Sequence, residues 1–162
     1  VKNSYDKIEE SKLLMDASTD FGGLLIDGFG DGLWIDSDHN KSFINEISFG
    51  ILQASRSRIS KTEYISCPSC GRTLFDLQET TLKIRSKLDH LKGLKIGVMG
   101  CIVNGPGEMA DADYGYVGVG KGKISLYKGQ EVVKTNIPEI SALDALIDLI
   151  KINGDWKEVP EV

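Results

Sequence analysis

Leu94-Lys95-Ile96-Gly97-Val98-Met99-Gly100-Cys101 reads as a short buried strand whose end delivers a cysteine into a glycine-rich loop. Upstream of it, a helix is signalled from about Thr73 to Leu91, with Leu74, Leu77, Leu82, Ile84, Leu88 and Leu91 as apolar positions and Gly93 as its stop. Before that helix, Tyr64-Ile65 ends another strand, which runs straight into Cys67-Pro68-Ser69-Cys70. Downstream, Tyr114 to Val119, Lys123 to Tyr127 and Glu131 to Lys134 are strand-like and separated by glycine turns, the pattern of an antiparallel meander. A last helix is expected to open at Ser141, with Asp144 three residues on as a capping box. It carries Leu143, Leu146, Ile147 and Ile150 and ends at Gly154.

Toward the amino end, Leu13, Leu14, Ala17, Phe21, Leu24 and Leu25 recur at three- and four-residue steps and predict a helix. Leu33-Trp34-Ile35 predicts a short buried strand, and Phe43, Ile44, Ile47, Ile51 and Leu52 the apolar face of another helix. Helices and strands therefore alternate over the first two-thirds, which makes this an α/β (α+β) fold. Residues 1–12 read as a polar, weakly patterned segment and residues 13–162 as a single domain. Val1 is not a methionine, so the chain is expected to be a domain of something longer.

The 162 residues suffice for one domain core without disulfide staples. With 19 Lys and Arg against 24 Asp and Glu, the net charge is −5. An acidic body argues against nucleic acid or an anionic membrane as partner. No apolar run reaches membrane-span length and Val1 to Glu10 carry no signal-peptide pattern, so an intracellular, soluble protein is expected.

Cys67, Cys70 and Cys101 are an odd number, which excludes a fully paired disulfide framework. Cys67 and Cys70 stand at the spacing that lets two sulfurs reach one metal or cluster. Cys101 lies in the second loop, Gly100-Cys101-Ile102-Val103-Asn104-Gly105-Pro106-Gly107-Glu108. Three thiolates and the Glu108 carboxylate make a four-ligand set suited to zinc or iron–sulfur chemistry. The exchangeable oxygen of Glu108 is one that a substrate oxygen could displace. Structural zinc on Cys67, Cys70, Cys101 and Glu108, or a dithiol at Cys67 and Cys70, also stays open. Against zinc, His39 and His90 stand far from both loops in sequence and no second CxxC is present; against a dithiol, Cys101 is left without a role.

Ser66-Cys67-Pro68-Ser69-Cys70-Gly71-Arg72-Thr73, then Met99 to Glu108, then Ala110-Asp111-Ala112-Asp113-Tyr114-Gly115-Tyr116 together resemble the iron–sulfur domain of the 4-hydroxy-3-methylbut-2-enyl diphosphate synthase (GcpE/IspG) family. The resemblance runs from about Leu24 to Trp156, and Leu74 to Glu79 further resembles the three-domain form of plants and some bacteria. It implies that Cys67, Cys70 and Cys101 are thiolate ligands of a four-iron four-sulfur (4Fe-4S) cluster, with Glu108 as the carboxylate on the fourth iron and Asn104 against the substrate. It also implies a sulfite/nitrite reductase hemoprotein-like domain, a mixed sheet with flanking helices.

The implied reaction is the reductive dehydration of 2-C-methyl-D-erythritol 2,4-cyclodiphosphate in the methylerythritol phosphate route to isoprenoids, with ferredoxin or flavodoxin as electron donor. The implied compartment is bacterial cytoplasm or plastid stroma. Glu108, once displaced, is expected to help deliver a proton to the leaving oxygen. In the family a separate triose-phosphate-isomerase-type (TIM) barrel grips the diphosphate, and 162 residues hold no eight strand–helix units, so this chain alone is expected to be inactive. The barrel would come from the same chain or from a second copy in a homodimer.

Other motifs carry less. The Gly28-Phe29-Gly30-Asp31-Gly32 series and Gly118 to Lys123 are read as turns, because neither has the strand-to-helix context or the Lys-Ser/Thr ending of a phosphate loop. Arg72, beside Cys70, is the basic residue placed to donate hydrogen bonds toward a cluster or substrate. Trp34 and Trp156 are expected to pack, and His39 and His90 to lie on the surface.

Overall fold

The computed structural model describes residues 1–158. The chain divides into two compact units, Val1–Ser60 and Lys61–Val162, where the sequence predicts one body over residues 13–162. The division follows from the polar first residues, which are not featureless. Lys2–Tyr5 form strand β1 and pair in parallel with β2, Trp34–Ser37. This gives the first unit a sheet and a core of its own.

Helix α1, Glu10–Ile26, buries Leu13, Ala17, Phe21 and Leu25, a strict four-residue stripe. Helix α2, Lys41–Ala54, is capped by the Asn40 side chain, which accepts from Ser42 N–H at 2.8 Å, and buries Ile47 and Ile51. Tyr5 and Ile35 complete this core, with the Tyr5 ring edge-on to Phe21 at 6.4 Å. Each such buried apolar side chain is worth about 1.5–3 kcal/mol relative to exposure. Trp34 departs from expectation: it is 66% exposed, and the Lys2 ammonium sits 5.8 Å from its ring centroid. The pleat that turns Ile35 inward turns Trp34 out.

The second unit is a five-stranded mixed sheet in the order β3-β4-β5-β6-β7. Strands β3 (Glu63–Ser66), β4 (Lys95–Met99) and β5 (Tyr114–Gly120) run parallel. β6 (Lys123–Lys128) and β7 (Glu131–Pro138) add the expected antiparallel meander. On one face, Ile96, Val98, Tyr114, Tyr116, Ile124 and Leu126 pack with the buried stripes of α3 (Leu77–Leu88) and α5 (Glu139–Ile152). The short helix α4, Gly105–Glu108, lies between β4 and β5 in sequence.

Two boundaries differ from the sequence reading. Helix α3 starts at Leu77 rather than Thr73 because the Asp76 carboxylate accepts from Glu79 N–H at 2.9 Å and caps it there. Its inward stripe is Leu77, Thr80, Ile84 and Leu88, which leaves Leu82 exposed. The capping box expected at Ser141 is not formed: α5 begins at Glu139, and the Ser141 hydroxyl donates back to Pro138 O at 3.1 Å. Among the described residues no helix is long and apolar enough to cross a membrane.

Candidate functional site

Two loops leave the sheet at the carboxyl ends of the adjacent parallel strands β3 and β4, the place where open α/β sheets hold ligands. Together with α4 they enclose a cavity of about 80 Å³. Its lining includes every residue singled out from the sequence, namely Cys67, Cys70, Cys101, Asn104 and Glu108, and also Arg72. Ser69 and Thr73, which sequence reasoning passed over, line it as well. Thr73 was hidden by the helix pattern that runs through it.

All three thiols are free. Cys67 follows β3 directly, is half-buried, and accepts a hydrogen bond at Sγ from Gly100 N–H at 3.3 Å. Cys70 is exposed, and its thiol is held below the ordinary cysteine value. The first cause is a hydrogen bond from the Arg72 backbone N–H, and the second is the Arg72 side chain. Such donors favour the thiolate, the form that ligates metals. Among the described residues no three His, Cys, Asp or Glu side chains converge tightly enough to chelate one metal ion. The donors instead share the wall of a common cavity.

Glu108 reaches that wall on a turn with a firm foundation. Glu108 N–H donates to Asn104 O at 2.9 Å and Met109 N–H to Gly105 O at 3.0 Å, closing the single turn of α4. Met109, the next residue, is 1% exposed and rests on the sheet beside Met99, Ala112, Val117 and Tyr127. It fits only because Gly97 and Gly115 lie beneath it: a Cβ at Gly97 would stand 2.7 Å, and one at Gly115 2.6 Å, from Met109 side-chain atoms. Glycines inside strands are the sequence signal of such a close approach.

The two histidines are half-buried rather than free on the surface, and neither lines the cavity. His39 is hydrogen-bonded to Ile8 O at 2.7 Å, and His90 lies edge-on to Trp156 at 5.0 Å. Trp156 itself packs on the second unit's core, as expected.

The fold and the site define a class: a mixed-sheet α/β domain that presents three free thiols and a carboxylate around one cavity at the carboxyl ends of its parallel strands. Comparison with known proteins then gives the family. The chain belongs to the family described as GcpE protein C-terminal domain, whose profile matches residues 63–152. It is 64% identical over 145 residues to the 4-hydroxy-3-methylbut-2-en-1-yl diphosphate synthase (flavodoxin) of Parabacteroides distasonis, covering 89% of this chain and 24% of that protein. The enzyme of the same name from Porphyromonas gingivalis is 59% identical over 155 residues, covering 95% of this chain and 27% of its own length. The chloroplastic, ferredoxin form from Arabidopsis thaliana is 56% identical over 154 residues, or 94% of this chain and 21% of the plant protein. The chain thus spans about a quarter of the length of these relatives.

Proposed function

We propose that this chain is the cluster-bearing C-terminal domain of an enzyme that reductively dehydrates 2-C-methyl-D-erythritol 2,4-cyclodiphosphate to 4-hydroxy-3-methylbut-2-enyl diphosphate. The observation that carries this reading is the single cavity that Cys67, Cys70, Cys101, Asn104 and Glu108 line together, although they come from two loops separated by a helix and a strand. Zinc needs all its donors within about 2.0–2.3 Å of one point. A four-iron cluster gives each ligand its own iron and so suits donors spread around a cavity wall. The donor set and the hydrogen bonds to sulfur at Cys67 and Cys70 fit such a cluster.

When bound, the cluster supplies single-electron transfer and Lewis acidity, which no side chain can provide. The chain's own residues do the rest. Cys67, Cys70 and Cys101 hold the group; Gly100 N–H donates to Cys67 Sγ, and the Arg72 N–H donor favours the thiolate form of Cys70. The α4 turn holds the exposed Glu108 carboxylate at the cavity, where it can yield its place to a substrate hydroxyl and pass a proton to the oxygen that leaves. Asn104, one turn before Glu108, orients the substrate. The domain architecture is read as sulfite/nitrite reductase-like, the electron donor as flavodoxin or ferredoxin, and the compartment as bacterial cytoplasm or plastid stroma. The substrate's diphosphate is gripped by a barrel domain outside these residues, so the chain alone turns over negligibly.

The test is metal and sulfide content with an electron paramagnetic resonance spectrum on anaerobically reconstituted protein. The expected result is about four irons and four sulfides per chain, lost in Cys101→Ser. In the full-length enzyme Glu108→Gln keeps the cluster and loses most turnover. Stoichiometric zinc that resists iron replacement, or full turnover of Glu108→Gln, would overturn the assignment or the role of Glu108 respectively.

A further inference from the structure

We propose that Thr73 is a positioning residue that locks the two cysteine loops to each other, with its hydroxyl serving one loop and its methyl group the other. This deepens the cluster reading above and rests on it. The first loop is closed on the Thr73 side chain. Thr73 Oγ1 accepts from Cys70 N–H at 3.1 Å and lies 3.2 Å from Ser69 Oγ, while Thr73 N–H donates to Cys70 O at 2.9 Å. Ser69 sits at φ 65°, a left-handed conformation that a serine holds only where its surroundings compel it.

The second loop is pressed against the same side chain. Gly100 immediately precedes Cys101, and a Cβ added there would stand 2.7 Å from Thr73 Cγ2 and 2.8 Å from its Oγ1. Gly100 cannot retreat, because a Cβ on Gly118 would lie 2.5 Å from Gly100 O, so the two backbones are already in close contact on that side. Leu74 N–H donates to Gly100 O at 3.1 Å, and Gly100 N–H donates to Cys67 Sγ at 3.3 Å, which ties the loops at two further points. Thr73 is thus wedged between the CxxC turn and the residue that leads into the third cysteine. Loops by themselves drift, and a multi-ligand site needs its donors held to within about 0.5 Å by surrounding groups. Thr73 supplies that hold.

Three variants of the full-length chain, reconstituted without oxygen, separate the two contacts. Thr73→Val keeps the methyl group and replaces the hydroxyl by a second methyl, Thr73→Ser keeps the hydroxyl and removes the methyl, and Gly100→Ala drives a methyl group into the wedge. Each is read by iron per chain and the rate of cluster loss in air, with circular dichroism to show that the fold is kept. Thr73→Val, which leaves Cys70 N–H without its acceptor, is expected to lose its cluster at least about threefold faster than wild type. Thr73→Ser, which keeps that acceptor, is expected to lose its cluster more slowly than Thr73→Val. Gly100→Ala is expected to lose most of its iron, and adding Thr73→Ser to it to restore part by making room. A Thr73→Val protein with wild-type cluster lifetime, or no rescue of Gly100→Ala by Thr73→Ser, overturns the inference and leaves the cluster reading standing. A wild-type chain that takes up no iron brings down that reading and this inference with it.

Discussion

The two faces of the five-stranded sheet are filled in opposite ways. Under α3 and α5 the core is filled by large strand residues: Ile96 and Val98 on β4, Tyr114 and Tyr116 on β5, Ile124 and Leu126 on β6. On the other face the same strands turn out Gly97 and Met99, Gly115 and Val117, with Met109 laid across them. The first face keeps the helices at side-chain distance and maximises buried area, which is what stability needs. The second removes side chains so that the backbone of the α4 turn can come down onto the sheet, which is what holding Glu108 at a fixed point needs. Stability and positioning are therefore carried by opposite faces of the same strands, and substitutions on the two faces should fail in different ways.

The largest stability effect is expected on the helix face. Leu146→Ala, at a fully buried position of α5, should cost about 2–5 kcal/mol in denaturant unfolding. The protein that remains folded should still bind its full complement of iron. A loss of iron binding in proportion to stability would break the division between faces. On the site face Gly115→Ala should cost about 1–3 kcal/mol, because its Cβ meets Met109 at 2.6 Å. Here the loss of cluster uptake should exceed the loss of stability, and adding Met109→Ala should recover part of both.

The smallest effect is read at alkaline pH. Burial pushes the Tyr116 phenol up to about 12, above the value near 10 of an unfolded chain. A raised folded-state pKa contributes stability that is complete below pH ~10 and lost as pH climbs toward that of the folded phenol. Tyr116→Phe should therefore flatten this part of the stability profile and leave iron content at neutral pH unchanged. Unfolding curves from pH 9 to 12 that run parallel for both proteins would show that the phenol does not sense its burial.

Much of this was legible in the residues, for reasons that can be named. Strands β3 and β4 and the meander announce themselves because apolar runs of strand length are cut off by glycine turns, and the two cysteine loops were readable as strand ends. What misled was local chemistry with two outlets. Thr73 to Asp76 fit a helical pattern, but the Asp76 carboxylate caps the helix at Glu79 N–H and frees the preceding residues for the site. Ser141 had the form of a cap, but its hydroxyl turned to the Pro138 carbonyl. Strand β1 was missed because only Tyr5 of its four residues is buried and its partner, β2, lies some thirty residues away.

The sequence by itself determined the candidate donor set, Cys67, Cys70, Cys101 and Glu108, and the alternation of strand and helix that puts the cysteines at strand ends, because both are matters of residue type and short-range period. Only the tertiary structure decided that those donors share one cavity, that Thr73 stands between the loops, and that Gly97, Gly100 and Gly115 are empty because another residue fills their space. Residue type and period are carried along the chain. A glycine's reason for being glycine is a neighbour that only folding brings within 3 Å, and no local pattern records which neighbour that is.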